Sequence, residues 1–482
     1  MKVFSEDVWQ GVDMKIIVFG LGKFYLNRRE ILKQYQTVEI VAFSDNNEAL
    51  WGKSFEDVRV IAPDSIKDIA CDGILIMSTY AAAISEQLIT DGIGKERIFF
   101  WEPFYSKQCS GEMKVLSKFN DTLFGTRSIL IISTDLGYNG GSIAAVYAAQ
   151  AIQSKGNSVV LAAPDGDEAL IEEIIQQGIT VAIRPSLPYI FDREREWVSQ
   201  FDAVFVNVFQ MLQGACGASL IRPTLWWIHE AIAIMEDVIG KPWNQIEETQ
   251  LKNIMIRAVA KIPKDNFNKL FKNHIGEIIP YGIPDMCSSF SKEKPASQKI
   301  VFAVIGMVCE RKAQEIFCQA VKELNRSEQA EFWIIGKCGD DLYSKKVVEM
   351  SRQIGGMKIL GLLTREEIYQ TFPQIDVVVC TSLEDPLPIV MTEGMMFGKT
   401  CITTDRTGTA DYIHDGENGF VVPAGDSKAL KEKMEWTIQN LDKLETIGRK
   451  ARETYEKYFT MDVFAENLER AITEAIECWE GV

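Results

Sequence analysis

Short apolar runs, each closed by a glycine or a polar residue, recur along this chain and alternate with segments of helical periodicity. That alternation predicts buried parallel strands joined by crossover helices. The runs fall into three groups. KIIVFG (15–20), VEIVAFSD (38–45) and GILIMS (73–78) form the first, over about residues 14–105. SILIIS (128–133), SVVLAAP (158–164), ITVAIR (179–184), AVFVNV (203–208), TLWWIH (224–229) and EIIPYG (277–282) form the second. KIVFAVIG (299–306), AEFWIIG (330–336), MKILG (357–361), DVVVCT (376–381), KTCITT (399–404) and GFVVP (419–423) form the third, and two or three amphipathic helices are predicted over 427–479. Residues 106–126 lose the pattern and read as a linker with some helix. SSFSKEKPASQK (288–299), polar, charged and proline-bearing, reads as a hinge. The expected organisation is a smaller α/β domain (1–105), a linker (106–126), an α/β domain (127–290) and a further α/β domain with C-terminal helices (291–482), the last two alike in plan.

Composition narrows the possibilities. The chain has 482 residues, 46% hydrophobic and 25% charged, so several packed cores are expected rather than disorder. The formal net charge of −17 argues against broad nucleic-acid binding, because a phosphate backbone repels an acidic surface. Ten cysteines are scattered without a C-x-x-C pair, which argues against a zinc site and fits a reducing cytoplasm. MKVFSEDVWQ (1–10) lacks the apolar run of a signal peptide, and no stretch approaches 18 uninterrupted apolar residues. Residues 251–274 carry six Lys or Arg against one Asp. They read as a solvated helix face, with peripheral contact to anionic lipid as the other reading.

The passage with most chemistry is TSLEDPLPIVMTEGMMFGKTCITTD (381–405). It starts just past a predicted buried strand, where ligands of parallel sheets bind. Pro386 and Pro388 interrupt regular structure, and a helix is predicted from about Ile389 to Phe397. Its free N–H groups at Ile389 and Val390, with the positive end of the helix dipole, suit a diphosphate. Glu393, one turn in, can accept two hydrogen bonds from a ribose diol. Asp385 lies on the preceding loop, with Glu384 one residue earlier.

This passage resembles the Glu-x7-Glu motif of glycosyltransferase family 4, retaining enzymes of the GT-B fold (glycosyl transferases group 1), here as Asp385-x7-Glu393. VIGMVCERKAQEIFCQA (304–320) is similar to the family's Gly-Arg…Lys-Gly segment, with Met307 in place of the arginine, Lys312 at the lysine that neutralises the donor diphosphate, and Arg311 as a second cation. WIIGKCGDD (333–341), LGLLTREEIYQTF (360–372) and DGENGFVVPAGD (415–426) extend the resemblance over roughly residues 128–460. It implies two facing Rossmann-like domains preceded by a smaller one. It places the glycine loop of DLGYNGGSIAAVYAAQAI (135–152), with Gly140 and Gly141, beside the diphosphate, and His229 of WWIHE (226–230) near the donor sugar. The implied activity is hexosyl transfer with retention, from a UDP- or GDP-sugar to a glycan, lipid-linked or protein acceptor. Asp385, His229 and Lys312 would be catalytic, and no obligatory metal is implied. Bacterial surface polysaccharide or glycoconjugate assembly, at the inner face of the membrane, is the expected setting. The alternatives are an inactive sugar-nucleotide sensor or docking protein, and a sugar-nucleotide epimerase of the same architecture.

Two further motifs read as structural. Gly20-Leu21-Gly22 lacks the third glycine of a nucleotide fingerprint, Tyr25 standing there, although Asp45 ends the next strand where ribose is often held. The first segment therefore reads as a structural or partner-docking domain. Asp165-Gly166-Asp167 reads as a helix N-cap rather than a metal-binding Asp-x-Asp.

Overall fold

The computed structural model describes residues 14–35, 37–118, 126–272, 275–290 and 299–480. The N-terminal stretch 1–10, residues 119–125 of the expected linker, 291–298 of the expected hinge and 273–274 of the basic stretch lie outside the described residues.

The apolar runs form three largely parallel sheets. The first contains β1 (Met14–Phe19), β2 (Val38–Ser44), β3 (Ser54–Phe55), β4 (Val58–Ile61), β5 (Gly73–Ile76) and β6 (Ile98–Phe100), in the order β3-β4-β2-β1-β5-β6 with only β3 antiparallel. The second contains β7 (Lys114–Leu116), β8 (Ser128–Ile132), β9 (Ser158–Ala163), β10 (Thr180–Ile183), β11 (Ala203–Asn207), β12 (Thr224–Ile228) and β13 (Ile254–Ala258). The third contains β14 (Ile300–Ile305), β15 (Ala330–Ile335), β16 (Met357–Gly361), β17 (Val377–Val379), β18 (Thr400–Thr404) and β19 (Phe420–Val422). The orders β10-β9-β8-β11-β12-β13 and β16-β15-β14-β17-β18-β19 are those of a doubly wound sheet. The order in which strands are added reverses between β8 and β11 and between β14 and β17, both parallel pairs, and the crevice beyond the carboxyl ends of such a pair is where ligands bind. Strands such as β9, β11, β12 and β14 are buried throughout, because helices cover both faces.

Four expectations are corrected. Residues 106–126 are not a plain linker. Helix Trp101–Gln108 ends in them, and β7 then adds antiparallel to β10 at the edge of the second sheet. The junction is fixed by Glu194, which accepts from Ser110 Oγ (2.8 Å), Gly111 N (2.9 Å) and Ser186 Oγ (2.6 Å) and pairs with Arg184. EIIPYG (277–282) is not a strand. Pro280 has no N–H for a ladder, and the segment makes only a single bridge, Ala258 to Ile278. The sixth parallel strand is instead IMIRA, inside the stretch read as a basic helix face. Its Arg257 is buried and donates to Glu474 Oε2 at 2.7 Å, so the basic stretch is not one solvated surface. Among the described residues of that stretch, the α-helix is Lys261–Leu270.

The last correction concerns helix Met461–Cys478, expected with the third domain. It packs on helix Gly140–Ser154 and on β12 of the second, with Phe464 5.2 Å from Trp227. Glu469 binds Arg127 and Asn157, and Trp479 Nε1 donates to Ser219 O. The returning chain touches the outgoing one where Ile283 bridges Thr460. Gly282 is needed there, since an added Cβ would lie 2.6 Å from Thr460 O.

Candidate active site at the facing sheet edges

In the third domain, two loops leave the carboxyl ends of β14 and β17 and are tied together. Leu383 N donates to Arg311 O (2.9 Å) and Thr381 Oγ1 to Lys312 O (2.8 Å). This brings Arg311 and Lys312 onto Asp385. Lys312 Nζ lies 2.5 Å and Arg311 Nη1 3.3 Å from Asp385 Oδ2, and Ser382 Oγ donates to the same oxygen at 3.3 Å. Burial alone would raise the Asp385 carboxyl, but the Lys312 and Arg311 cations more than offset it and hold it below the ordinary value. Burial likewise opposes the Lys312 charge, and Asp385 more than restores it. An ammonium has three N–H donors, so Lys312 can hold Asp385 and still face a ligand anion. Met307 at the end of β14 is 60% exposed and carries no charge into the crevice.

Helix Ile389–Met396 follows, buried on nearly every side between β17, β18 and helix Leu441–Tyr458. Pro388 is its N-cap, and no side chain among the described residues caps it. The N–H groups of Ile389 and Val390 therefore sit at an uncapped positive helix end. Glu393 on this helix is buried. Its Oε1 accepts from Arg365 Nη2 (2.7 Å) and Tyr369 OH (3.1 Å). Burial raises the Glu393 carboxyl, and Arg365 and Tyr369 oppose the rise without cancelling it.

In the second domain, the loop after β8 opens helix Gly140–Ser154. Asn139 caps it by accepting from Ser142 N (3.0 Å), and Asp135 Oδ1 gathers Gly137 N, Asn139 Nδ2 and Ser142 Oγ. The two glycines differ: a Cβ on Gly140 meets open space, whereas one on Gly141 lies 3.2 Å from Val208 Cγ1. Val208, just beyond β11, has φ 70°, a strained conformation for a β-branched residue. Asn207 Nδ2 clamps Ser133 Oγ (3.1 Å) and Gly141 O (3.0 Å), while its buried Oδ1 has no partner among the described residues. His229, beyond β12, packs edge-on to Trp227 at 4.0 Å. Its Nε2 is buried without a partner among the described residues, and burial lowers its pKa to about 3. Burial thus favours the neutral ring. Burial raises the adjacent Glu230 to about 7, against backbone N–H donors at His229 and Phe209.

Sequence reasoning missed Asn207, Glu230, Arg365 and Tyr369. The only local signal for the last two is their spacing of four residues on one helix face.

The two edges meet directly. Glu384, adjacent to Asp385, points across the gap. Its Oε1 accepts from Ile232 N (3.2 Å), at the start of helix Ile232–Gly240, and from Asn266 Nδ2 (2.8 Å). Gly408 N donates to Asp385 O, and a Cβ on Gly408 would lie 2.5 Å from Ala260 Cβ of the second domain. The Arg365 guanidinium lies 5.6 Å over Tyr147, also of the second domain, and 5.3 Å over Tyr369. Tyr281 OH donates to Leu387 O at 2.6 Å. Arg311, Lys312 and Asp385 thus form one cluster. Glu393 lies on the helix that follows, and the loops bearing Gly141 and His229 follow β8 and β12, the two strands that flank β11 in the opposite sheet.

Elsewhere, Asp45 in the first domain closes its own loop by accepting from Leu21 N (2.8 Å) and Asn47 N (2.9 Å). Asp167 caps helix Glu168–Gln176. Among the described residues no group of three His, Cys, Asp or Glu side chains is placed to hold a metal, and no helix is long and apolar enough to cross a membrane.

Residues 288–454 match the family model described as Glycosyl transferases group 1, and residues 12–99 match one described as C2185-like, N-terminal. The capsular polysaccharide biosynthesis glycosyltransferase CapM of Staphylococcus aureus is 39% identical over 80 residues, 17% of this chain and 21% of CapM. Spore coat protein SA of Bacillus subtilis is 25% identical over 179 residues, 35% of this chain and 48% of that protein. The chain thus spans about a fifth to a half of the length of these curated relatives. Anabaena HepE, solved in complex with UDP and glucose, superposes with a TM-score of 0.60 at 17% identity, covering 72% of this chain and 100% of HepE. The architecture is therefore that of GT-B glycosyltransferases, preceded by an α/β sheet domain.

Proposed function

We propose that this chain is a retaining glycosyltransferase that moves a hexosyl group from a nucleoside-diphosphate sugar to a glycan or lipid-linked acceptor in surface polysaccharide assembly. The observation that carries the reading is the Arg311–Lys312–Asp385 cluster beside an uncapped helix N-terminus, with Glu393 one turn further on. Two cations and free backbone N–H groups at one crevice suit a diphosphate, and a buried carboxylate suits a ribose diol. The match of residues 288–454 and the likeness to HepE, solved with UDP and glucose, support a nucleotide-sugar donor, with UDP the first base to test.

As the glycosidic bond breaks, its electron pair goes to the diphosphate, and Lys312, Arg311 and the N–H groups of Ile389 and Val390 stabilise the growing charge. The acceptor oxygen bonds to the anomeric carbon on the face the phosphate leaves, and its proton passes to the leaving phosphate oxygen. Asp385 orients a sugar hydroxyl while held by the two cations. His229 and the Gly140–Gly141 loop meet the donor from the second domain. Fixed cations take the part a metal plays elsewhere. Calorimetric titration with UDP tests the reading: the wild type binds and Glu393→Ala binds at least about tenfold more weakly, the scale of losing hydrogen bonds to a charged group. Equal affinity for the two proteins would remove Glu393 from the site.

A further inference from the structure

Both protein donors to Glu393 converge on one of its oxygens. Arg365 Nη2 and Tyr369 OH, at positions i and i+4 of helix Arg365–Thr371, reach Oε1 at 2.7 and 3.1 Å. Arg365 Nε also donates to Tyr369 OH at 2.8 Å, so the two donors brace each other. The guanidinium also lies 5.3 Å from the ring centre of Tyr369 and 5.6 Å from that of Tyr147, the latter from the opposite domain. We propose that Arg365 is a positioning residue for the donor nucleotide: with Tyr369 it pins Glu393 through Oε1 and so presents Oε2 to the ribose diol. Through Tyr147 it makes that presentation depend on the second domain being docked. The inference rests on Glu393 being the ribose contact.

The chemistry requires such a partner. Glu393 is buried, and a lone buried carboxylate takes up a proton rather than remain charged, after which it is a poorer acceptor of two diol hydrogen bonds. The groups facing it are Arg365, Tyr369 and Tyr147, with Tyr281 nearby. The three tyrosines are all raised by burial and stay neutral, so Arg365 is the cation that opposes the burial-driven rise of the Glu393 carboxyl. The Arg365 side chain is itself 37% exposed, which leaves it room to adjust when a ribose enters.

The test uses the full chain with Arg365→Gln, Arg365→Lys and Tyr369→Phe, titrated with UDP between pH 5.5 and 8.5. Arg365→Gln should weaken UDP binding about tenfold or more at neutral pH. It should also bind progressively worse as pH falls, because the Glu393 carboxyl, already raised by burial, moves up further without the cation. The wild type should lose affinity only at lower pH. Arg365→Lys should recover the pH behaviour and part of the affinity, and Tyr369→Phe should weaken binding and move the pH profile in the same direction as Arg365→Gln but less far, since it removes the smaller of the two opposing contributions. An Arg365→Gln profile that parallels the wild type, or a loss that lysine does not reduce, overturns the proposal while leaving the ribose reading standing. If the wild type binds no nucleoside diphosphate at all, both readings fall.

Discussion

Removing the Lys312 ammonium separates what holds the site together from what it does to a substrate. Lys312 is 20% and Asp385 9% exposed at the side chain, 2.5 Å apart. Deleting one partner of a buried pair costs about 3–5 kcal/mol, because the other charge is left in a poor solvent. Arg311, 3.3 Å from the same oxygen and 44% exposed, remains as a weaker substitute, so Lys312→Met should fall near the low end, about 3 kcal/mol. For a unit the size of the third domain that lowers Tm by about 6–12 °C. The pH dependence gives the mechanism away. In the wild type the Asp385 value lies below its unfolded one, so its contribution is present above the unfolded pKa and lost as pH falls through the folded one. In Lys312→Met, burial outweighs Arg311 and the folded value moves above the unfolded one. The ionised carboxylate then costs stability at high pH, and the cost shrinks as pH falls. The deficit in thermal denaturation should be larger at pH 8 than at pH 5, and Asp385→Asn in the same chain should remove most of it. Sugar transfer should fall about 10²-fold or more in Lys312→Ala, and Asp385→Asn should not restore it, because the lost group acts on the diphosphate. A deficit that is flat with pH and not relieved by Asp385→Asn would refute the electrostatic account. An unchanged transfer rate would remove Lys312 from the chemistry.

Three other outcomes follow from the geometry. Glu384→Ala removes the acceptor that joins Ile232 N and Asn266 across the gap; small-angle X-ray scattering should show a more open chain, and the donor KM should rise roughly tenfold with Tm nearly unchanged. Gly141→Ala gains up to ~1 kcal/mol of helix propensity but sets a Cβ 3.2 Å from the strained Val208, so transfer should drop sharply while thermal stability changes by no more than ~1–2 kcal/mol. Glu230 is raised by burial to about 7, above its unfolded value, so it erodes stability as pH rises through roughly 4 to 7, by on the order of 3 kcal/mol; Glu230→Gln should flatten that part of the stability curve against pH.

Much of the fold was legible because a strand buried on both faces has no choice but to be apolar. Runs such as VFAVI, FWII and VVV announce themselves, and a glycine or polar residue marks where each leaves the sheet. IMIRA escaped because Arg257 interrupts it, and what makes an arginine tolerable there is Glu474, 217 residues away. The tail helices were visible by their periodicity. Periodicity names a buried face but not its partner, so the return of Met461–Cys478 to the second domain was invisible until Phe464 met Trp227. The site shows the same division. Lys312, Asp385 and Glu393 stand in a readable local pattern around a strand end and a helix start. Glu384, one residue from Asp385, looks like a flanking acid and turns out to face the opposite domain. Arg365 shows locally only its spacing of four from Tyr369, since Glu393 lies 28 residues away and Tyr147 on another domain.

Nucleoside diphosphate release from a panel of UDP-, GDP- and ADP-sugars, with glycan and lipid-linked acceptors, tests the central claim most directly. The wild type should release diphosphate from one donor in an acceptor-dependent way, and Glu393→Ala should fall to background under the same conditions. No release from any donor, or equal release by the two proteins, would contradict the assignment of this crevice to sugar transfer.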